Sequence, residues 1–501
     1  MKRTIALIIL TISSSFVLHS CKKDFLRSFS QDGTLTDDDT FKDKASFEKA
    51  IFGTYREMQG SGGPQTGGIA WIQIPALISQ DVVPGADEIP VQINQYLTPG
   101  SGDITSYWGT FYKIAGRANL ILDKLEDAPS VVSETDKAVI EGEAKFFRGF
   151  AYFNIARAYG SCPLILESYE ESQKKMECSS EDEVWDQVIL DLTDASQKLP
   201  TRTDWGAENL GRATKGTALA YLANAYLYKA DWSNAITASE KLMALGEYKL
   251  LPNVRDVFSL AHKNNDESIF EIQYRDIDNT EFDWGGVMPN SGNYLEQWTS
   301  PRGIGDEYAP GGGWAGIIMN RKLADSFDPD DDRRRNLIVA VGETYFGEKM
   351  TSPVTIPANV VSRNSAFTTK YWHGPSPYWG NGTNIPLMRY AEFLLNYAEA
   401  LFKSGKPEQA YSELNKVRLR AKITAKSFSA DEDVFMSDIM QERRWELNFE
   451  PNIWFHYMRT HQAAKFLMDE YGITFQDAWY KWPVPQSERD LNPALCQNDG
   501  Y

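Results

Sequence analysis

The stretch that most constrains the fold is MRYAEFLLNYAEALFKSGKPEQAYSELNKVRLRA, residues 388–421. Leu387, Tyr390, Ala391, Leu394, Ala398 and Leu401 recur at helical spacing and form an apolar stripe. Arg389, Glu392, Asn396, Glu399 and Lys403 form the opposite stripe, and the order Glu399 to Lys403 is the favourable i,i+4 orientation. Gly405 ends the first helix and Pro407 opens a second, because proline lacks the N–H that a first helical turn leaves unpaired anyway. The segment is therefore a helical hairpin. NAYLYKADWSNAI (224–236) aligns with EALFKSGKPEQAY (399–411), so that Ala225 matches Ala400 and Ala235 matches Ala410. Small residues at those points let paired helices approach closely, as in a tetratricopeptide-type unit. A looser version lies at 141–160, with Ala144, Phe147, Ala151 and Ile155 at helical spacing. Such hairpins cannot bury their faces alone, so they are expected to pack together with long insertions looped out between them.

The largest insertion, 251–385, has the opposite grammar. FDWGGVMPNSGNYLEQWTSPRGIGDEYAPGGGWAG and YWHGPSPYWGNGTN are too rich in Gly and Pro for regular helices and too aromatic for disorder. Long structured loops on a rigid scaffold commonly carry binding. An indole or phenol face covers the apolar side of a sugar ring or a peptide side chain, while Asn, Asp and Arg bond hydroxyls or amides. Trp284, Trp298, Tyr308, Trp314, Trp372, Tyr378 and Trp379 are the candidate ligand-binding residues of the insertion; Asp81 and Tyr96 join them from an earlier Pro/Gly-rich loop.

The N-terminus has the layout of a secretory leader: Lys2 and Arg3, an apolar run from Ile5 to Leu18, and Ser20 just before Cys21. The run is too short and wrongly flanked to span a membrane. Leu18 and Ser20 stand where a lipoprotein signal peptidase needs a branched apolar and a small residue, so Cys21 is expected to become the lipidated first residue. The alternative is a plain secretory leader that contains a cysteine. Each methylene of an acyl anchor contributes roughly 0.8 kcal/mol, so two or more chains hold a domain firmly on a bilayer.

The chain has 51 basic and 69 acidic residues among 501. Without Lys2 and Arg3 the balance is 49 against 69, a net charge of about −20. That argues against nucleic acid, whose phosphates demand a basic face. Cys162 and Cys178 can pair in an oxidising compartment, but three cysteines beyond Cys21 are odd in number and read as scattered, partly buried thiols.

Catalytic motifs are absent or incomplete. No HExxH occurs, and His456 and His461 are five apart, off a common helical face. DPDDDRR begins like a calcium loop, but Arg333 replaces the required glycine and Val339 the bidentate glutamate, so an acidic helix N-terminus is expected. GGGWAG (311–316) matches GxGxxG but follows no apolar strand. Glu442 and Glu446 read as a solvated or salt-bridged helical face rather than a glycosidase pair. No metal or cofactor is expected.

Several ordered blocks resemble the SusD/RagB family of nutrient-binding outer-membrane lipoproteins. They are CKKDFL at Cys21, WGTFYKIAGRANLIL (with Trp108, Tyr112, Ile114 and Asn119), EAKFFRGFAYFNIARAYGSCPLIL, and GRATKGTALAYLANAYLYKADWSNAI. PLMRYAEFLLNYAEALFKSGKPEQAYSELNKVR, ERRWELNFE and the terminal WPVPQSERDLNPALCQNDGY complete the set. The resemblance implies a mainly α fold, with tetratricopeptide-like hairpins supporting an irregular, loop-rich ligand-binding subdomain. It implies a leader at 1–20, a linker at 21–40, and a helical region at 41–250. The region 251–501 follows, comprising the insertion 251–385, the hairpin 386–421 and a tail 451–501. It also implies a partner, a SusC-like TonB-dependent barrel over which the lipoprotein sits as a lid capturing oligosaccharide for import. Asp24, just after Cys21, fits display on the exterior of the outer membrane. Peptide capture in the same kind of system, a glycan-active enzyme and a purely structural adaptor are the alternatives. The chain departs from the family pattern at Pro451, Asn452 and Ile453, which replace a glycine, an aromatic and an arginine, and at His456, near a usual aspartate.

Overall fold

The computed structural model describes residues 41–59, 68–85, 93–168, 176–276, 292–301, 313–345, 348–349, 366–372 and 380–501. The longer helices are α1 (Lys44–Gln59), α2 (Gly68–Ile78), α3 (Gly102–Glu126), α4 (Glu134–Tyr159), α5 (Glu181–Lys198) and α6 (Lys215–Tyr228). After them come α7 (Trp232–Ala244), α8 (Tyr390–Lys403), α9 (Pro407–Arg420), α10 (Glu432–Leu447), α11 (Ile453–Arg459) and α12 (Ala463–Tyr471). Side chains start several of them: Ser101, Ser133 and Asp231 each accept from a backbone N–H in the first turn of α3, α4 and α7, and Ser180 and Thr214 form capping boxes on α5 and α6. Each such cap pairs an amide the helix itself cannot.

Helices α4 to α9 pack in sequence, each against the next, although the whole loop-rich region separates α7 from α8. Ala225, Ala235, Ala400 and Ala410 are all buried at their crossings, where a larger side chain would push the helices apart. Helix α3 packs on α4 and on α1 at the other end of the stack.

The polar stripe of α8 lies inside the protein. Arg389, Glu392, Asn396 and Glu399 are all buried, because α10, α11 and the turn between them close over this face and bring matching charges. Arg389 bonds Glu267, Glu446 and Glu450 at 2.7–2.9 Å. Glu399 takes Arg459 through two 2.7 Å bonds and Arg443 through a third of 2.7 Å. Lys403 pairs with Glu432 of α10 rather than with Glu399. Glu442 and Glu446 are likewise buried and salt-bridged, sharing Arg333 at 2.6 and 2.9 Å. Isolated charges at such depth would cost several kcal/mol each, so the stripe exists only as a set. DPDDDRR is a helix start: Asp331 caps Asp332–Leu337 and grips Arg333.

The chain's departure at 451–453 finds its partners in the same region. Asn452 Nδ2 donates to Glu392 (2.8 Å) and to the Leu387 carbonyl (2.9 Å), and its Oδ1 accepts from Arg157 (2.7 Å). His456 Nε2 lies 3.1 Å from the other Glu392 oxygen. A neutral amide and an imidazole thus engage Glu392.

The buried-thiol expectation holds for Cys162 and fails for Cys178. Cys178 joins Cys496 in a disulfide, and Cys162 is a buried thiol. Cys162 and Cys178 cannot pair with each other because Cys496 of the tail takes Cys178, while Cys162 lies in the core beside Tyr112. Hydrogen bonds to α4 carbonyls hold the tail as well: Trp482 N donates to Ala158 O (2.7 Å), and the Asn498 side chain donates through Nδ2 to Tyr159 O (2.8 Å).

Strands are few and short. β1 (Val82–Pro84), β3 (Ile317–Met319), β7 (Ala366–Thr368) and β4 (Ile338–Ala340) form an antiparallel sheet in the order β1-β3-β7-β4. β2 (Ser268–Ile272) pairs with β8 (Ile385–Arg389), and β5 (Thr344–Tyr345) with β6 (Glu348–Lys349). Among the described residues no helix is long and apolar enough to cross a membrane.

Candidate functional site

The sheet edge β1–β3 carries the candidate site. Val82, Val83 and Pro84 pair with Met319, Ile318 and Ile317, and the Gly85 amide extends the ladder to the Gly316 carbonyl at 2.9 Å. The residues before β3 lie along a short helix, Leu295–Thr299: Trp314 N donates to Gln297 O (2.7 Å), Ala315 N to Ser300 O (2.9 Å) and Gly316 N to Trp298 O (2.7 Å). Two glycines permit this approach. A Cβ on Gly316 would stand 2.4 Å from the Trp298 ring, and Gly313 combines φ +67° with a Pro301 oxygen 2.2 Å from where its Cβ would be. The described part of GGGWAG, Gly313 to Gly316, is therefore a packing device against an indole.

This arrangement sets Trp314 edge-on to Trp298, with centroids 6.2 Å apart and planes at 89°. Trp298 is 9% exposed and forms the base; Trp314 is half-buried. The buried Trp298 Nε1 has no hydrogen-bond partner among the described residues. Polar groups stand on the same short helix and its neighbours. Asn381 Nδ2 donates to Glu296, Asn293 Nδ2 to Thr383 O (2.9 Å), and Asn293 and Asn381 exchange backbone bonds of 2.8 and 3.1 Å. Gly382 N donates to Asp276 Oδ1 at 2.7 Å. Asn293, Glu296 and Asn381 are themselves buried and bonded to one another, so they brace the short helix from within, and the half-buried Trp314 is the aromatic group left to meet a ligand. Asn293, Glu296 and Asn381 were not among the residues singled out from sequence. Their one signal is that they flank the aromatic clusters, which ordinary turn residues also do.

The other expected site residues divide. Trp284, Tyr308, Tyr378 and Trp379 lie outside the described residues. Trp372 is 1% exposed, packed with Ala315, Ile318, Val339 and Phe367 beneath the sheet, and is core. Tyr96 is buried too, and burial, reinforced by Asp103, pushes its phenol pKa up. Asp81 is buried against Arg444, which donates through Nε (3.0 Å) and Nη2 (2.7 Å), and Tyr471 OH donates to it at 2.6 Å. Burial therefore removes Asp81, Tyr96 and Trp372 from direct ligand contact in this conformation.

A cavity of about 360 Å³, counting space open to solvent, lies elsewhere, between Arg202, Trp205 and Arg212 and the buried carboxyl of Glu271. The Arg212 guanidinium sits 4.1 Å over the Trp205 ring, and burial raises the Glu271 pKa. No group of three or more His, Cys, Asp or Glu side chains is placed to hold a metal ion among the described residues.

Comparisons with known proteins agree with this architecture. Residues 266–501 match the model of the SusD family, and residues 86–227 match a model described as SusD-like, starch-binding and associating with the outer membrane. A SusD-like protein P2 of Formosa agariphila is 26% identical over an alignment of 508 positions, gaps included, covering 94% of this chain and 95% of its own. The starch-binding protein SusD of Bacteroides thetaiotaomicron is 31% identical, but over 24% of this chain and 22% of its own. Among solved structures, a laminarin-binding SusD-like protein superposes with a TM-score of 0.74 at 24% identity, covering 92% of this chain and all of its own. Surface glycan-binding protein A of Bacteroides thetaiotaomicron, solved with laminarihexaose, gives 0.75 at 22% identity, covering 91% and 99%. With these matches along nearly its whole length and a helical stack that bears a loop-rich face, the chain belongs to the SusD/RagB family.

Proposed function

We propose that this protein captures oligosaccharides at the outer face of the outer membrane and passes them to a SusC-like TonB-dependent transporter. In this reading Cys21 carries the lipid anchor, the tetratricopeptide-like stack docks the transporter, and Trp314 stacks on sugar rings, joined by Trp284, Tyr308, Tyr378 and Trp379. The observation that carries the reading is the half-buried Trp314 braced edge-on by Trp298. The laminarin and starch binding in the names of its relatives supports the same ligand class. The reading is of a binder without catalysis or cofactor. Glu442 and Glu446 are each locked by arginines at 2.6–2.9 Å inside the fold, where neither can meet a substrate.

The test is affinity electrophoresis of residues 22–501 through gels containing laminarin, starch or other plant, fungal and host glycans, with calorimetry against a peptide pool. Retardation by one glycan class, abolished by Trp314→Ala at unchanged melting temperature, is the expected result. Binding to peptides alone would move the protein to peptide capture. For the anchor, Cys21→Ala is expected to release the full chain from membranes in detergent-free buffer; a mutant that still sediments with the outer membrane would refute the lipid attachment.

A further inference from the structure

The reading of Trp314 as a platform leaves open what holds its ledge against the helical framework. On one side it lies along the short helix Leu295–Thr299; on the other it continues into β3, whose neighbour β1 is the edge of the sheet. Edge strands are readily displaced unless pinned. β1 is pinned at both ends. At its C-terminal end a Cβ on Gly85 would stand 1.9 Å from the Ala315 oxygen, so the backbones meet there with no room for a side chain. At its N-terminal end stands Asp81, the one charged residue between Ser79 and Gly85.

Asp81 reaches both bodies at once. Its carboxylate takes Arg444 of α10 and the hydroxyl of Tyr471 at the end of α12, and its carbonyl accepts from Asn320 N (2.8 Å), the residue after β3. Asn320 Nδ2 returns to Gln80 O at 3.0 Å, where Gln80 has φ +62°. A non-glycine residue in that region persists only where its surroundings hold it. Arg444 is 2% exposed; it also pairs with Glu470 at 3.0 Å, donates to Tyr471 OH at 3.3 Å and lies 5.0 Å over the Phe466 ring.

We infer that the Asp81–Arg444 ion pair is a positioning element of the glycan site, tying β1 and β3 to α10 and α12 so that Trp314 is presented in one orientation. Neither residue touches ligand; both act through the strand pair. A buried bidentate pair suits this role because its geometry is directional, and removal of one partner strands the other charge.

Hydrogen exchange read by mass spectrometry on residues 22–501 tests the inference without a ligand. In Asp81→Asn, amides in 82–85 and 313–319 are expected to exchange about 10-fold faster or more, while those of the α8–α9 hairpin, 390–420, stay as in the wild type. The variant Asp81→Asn with Arg444→Gln restores a neutral hydrogen-bonding pair and is expected to recover part of the lost protection. Should Asp81→Asn fail to fold, Tyr471→Phe deletes the 2.6 Å bond to Asp81 and the 3.3 Å bond from Arg444 while leaving the ion pair, and is expected to loosen the same two segments to a lesser degree. Unchanged exchange at 313–319, or an equal rise at 390–420, would overturn the inference, as would a double variant whose effects simply add. A laminarin-binding arm separates this from the platform reading. Loss of laminarin binding in Trp314→Ala but not in Asp81→Asn would overturn the positioning role alone. A wild type that binds neither laminarin nor any other glycan would count against the platform, while the exchange result would still decide the positioning.

Discussion

Cys178 and Cys496 are 318 residues apart in the chain and are joined by a disulfide with their Cα atoms 5.9 Å apart. The bond fastens the tail beside the start of α5, next to the backbone bridge between Cys162 and Ser179. Ellman titration of denatured residues 22–501 is expected to find one thiol without reductant and three with it. Because the closed loop is long, reduction or Cys178→Ser is expected to lower stability by roughly 3–5 kcal/mol, read as a drop in melting temperature. The native Cys162 thiol, its pKa pushed up to about 12 by burial, is expected to resist alkylation at pH 8.

The two indoles near the sheet are expected to respond in opposite ways. Trp314→Ala removes ring surface from the face proposed for ligand and should cost binding with little change in stability. Trp372→Ala empties a filled core site and should cost about 3–5 kcal/mol of stability. Thermal melts and gel retardation on the same two variants check both; a Trp372→Ala protein that melts like the wild type would contradict its placement beneath the sheet.

Glu446 accepts from Arg333, Arg389 and Arg420, and these arginines hold its carboxyl well below the usual carboxylate range despite burial. Glu446→Gln leaves them facing a neutral amide in the interior. A loss of about 3–5 kcal/mol is expected from chemical denaturation, far more than from neutralising an exposed pair such as Lys465–Asp469.

Glu392 moves the other way: burial raises its pKa to about 7 from an ordinary 4.5, against the lowering by Asn452. Its folded form binds a proton more tightly than its unfolded form. The sign follows from linkage: this group costs nothing below about pH 4.5, its cost grows as pH rises from 4.5 to 7, and it is constant above. Glu392→Gln keeps one acceptor for Asn452 and His456 and does not titrate. Its stability relative to wild type is expected to rise across pH 4.5–7, by on the order of 3 kcal/mol in full. Parallel stability–pH curves for the two proteins would rule this out.

Periodicity and turn chemistry determined much of this protein locally. The apolar stripe of 387–401, Gly405, Pro407 and the matched Ala225 and Ala400 specify helices and their turns, and those signals act within a few residues of one another. The family was legible because its helix-packing blocks recur in order along the chain. Only the tertiary structure decided the rest. A stripe of Arg389, Glu392, Asn396 and Glu399 reads as solvated in any local window, because the residues that bury and neutralise it, Arg443, Glu446, Glu450 and Arg459, lie about 45–60 positions downstream. The disulfide had the same obstacle, with Cys496 at the far end of the chain. Among the described candidate aromatics, alike in local composition, packing alone separated Trp314 at the surface from Trp298 beneath it and Trp372 in the core. Local sequence acts through backbone dihedrals and caps. Burial and charge pairing depend on which distant segments arrive, and that is settled only when the whole chain has packed.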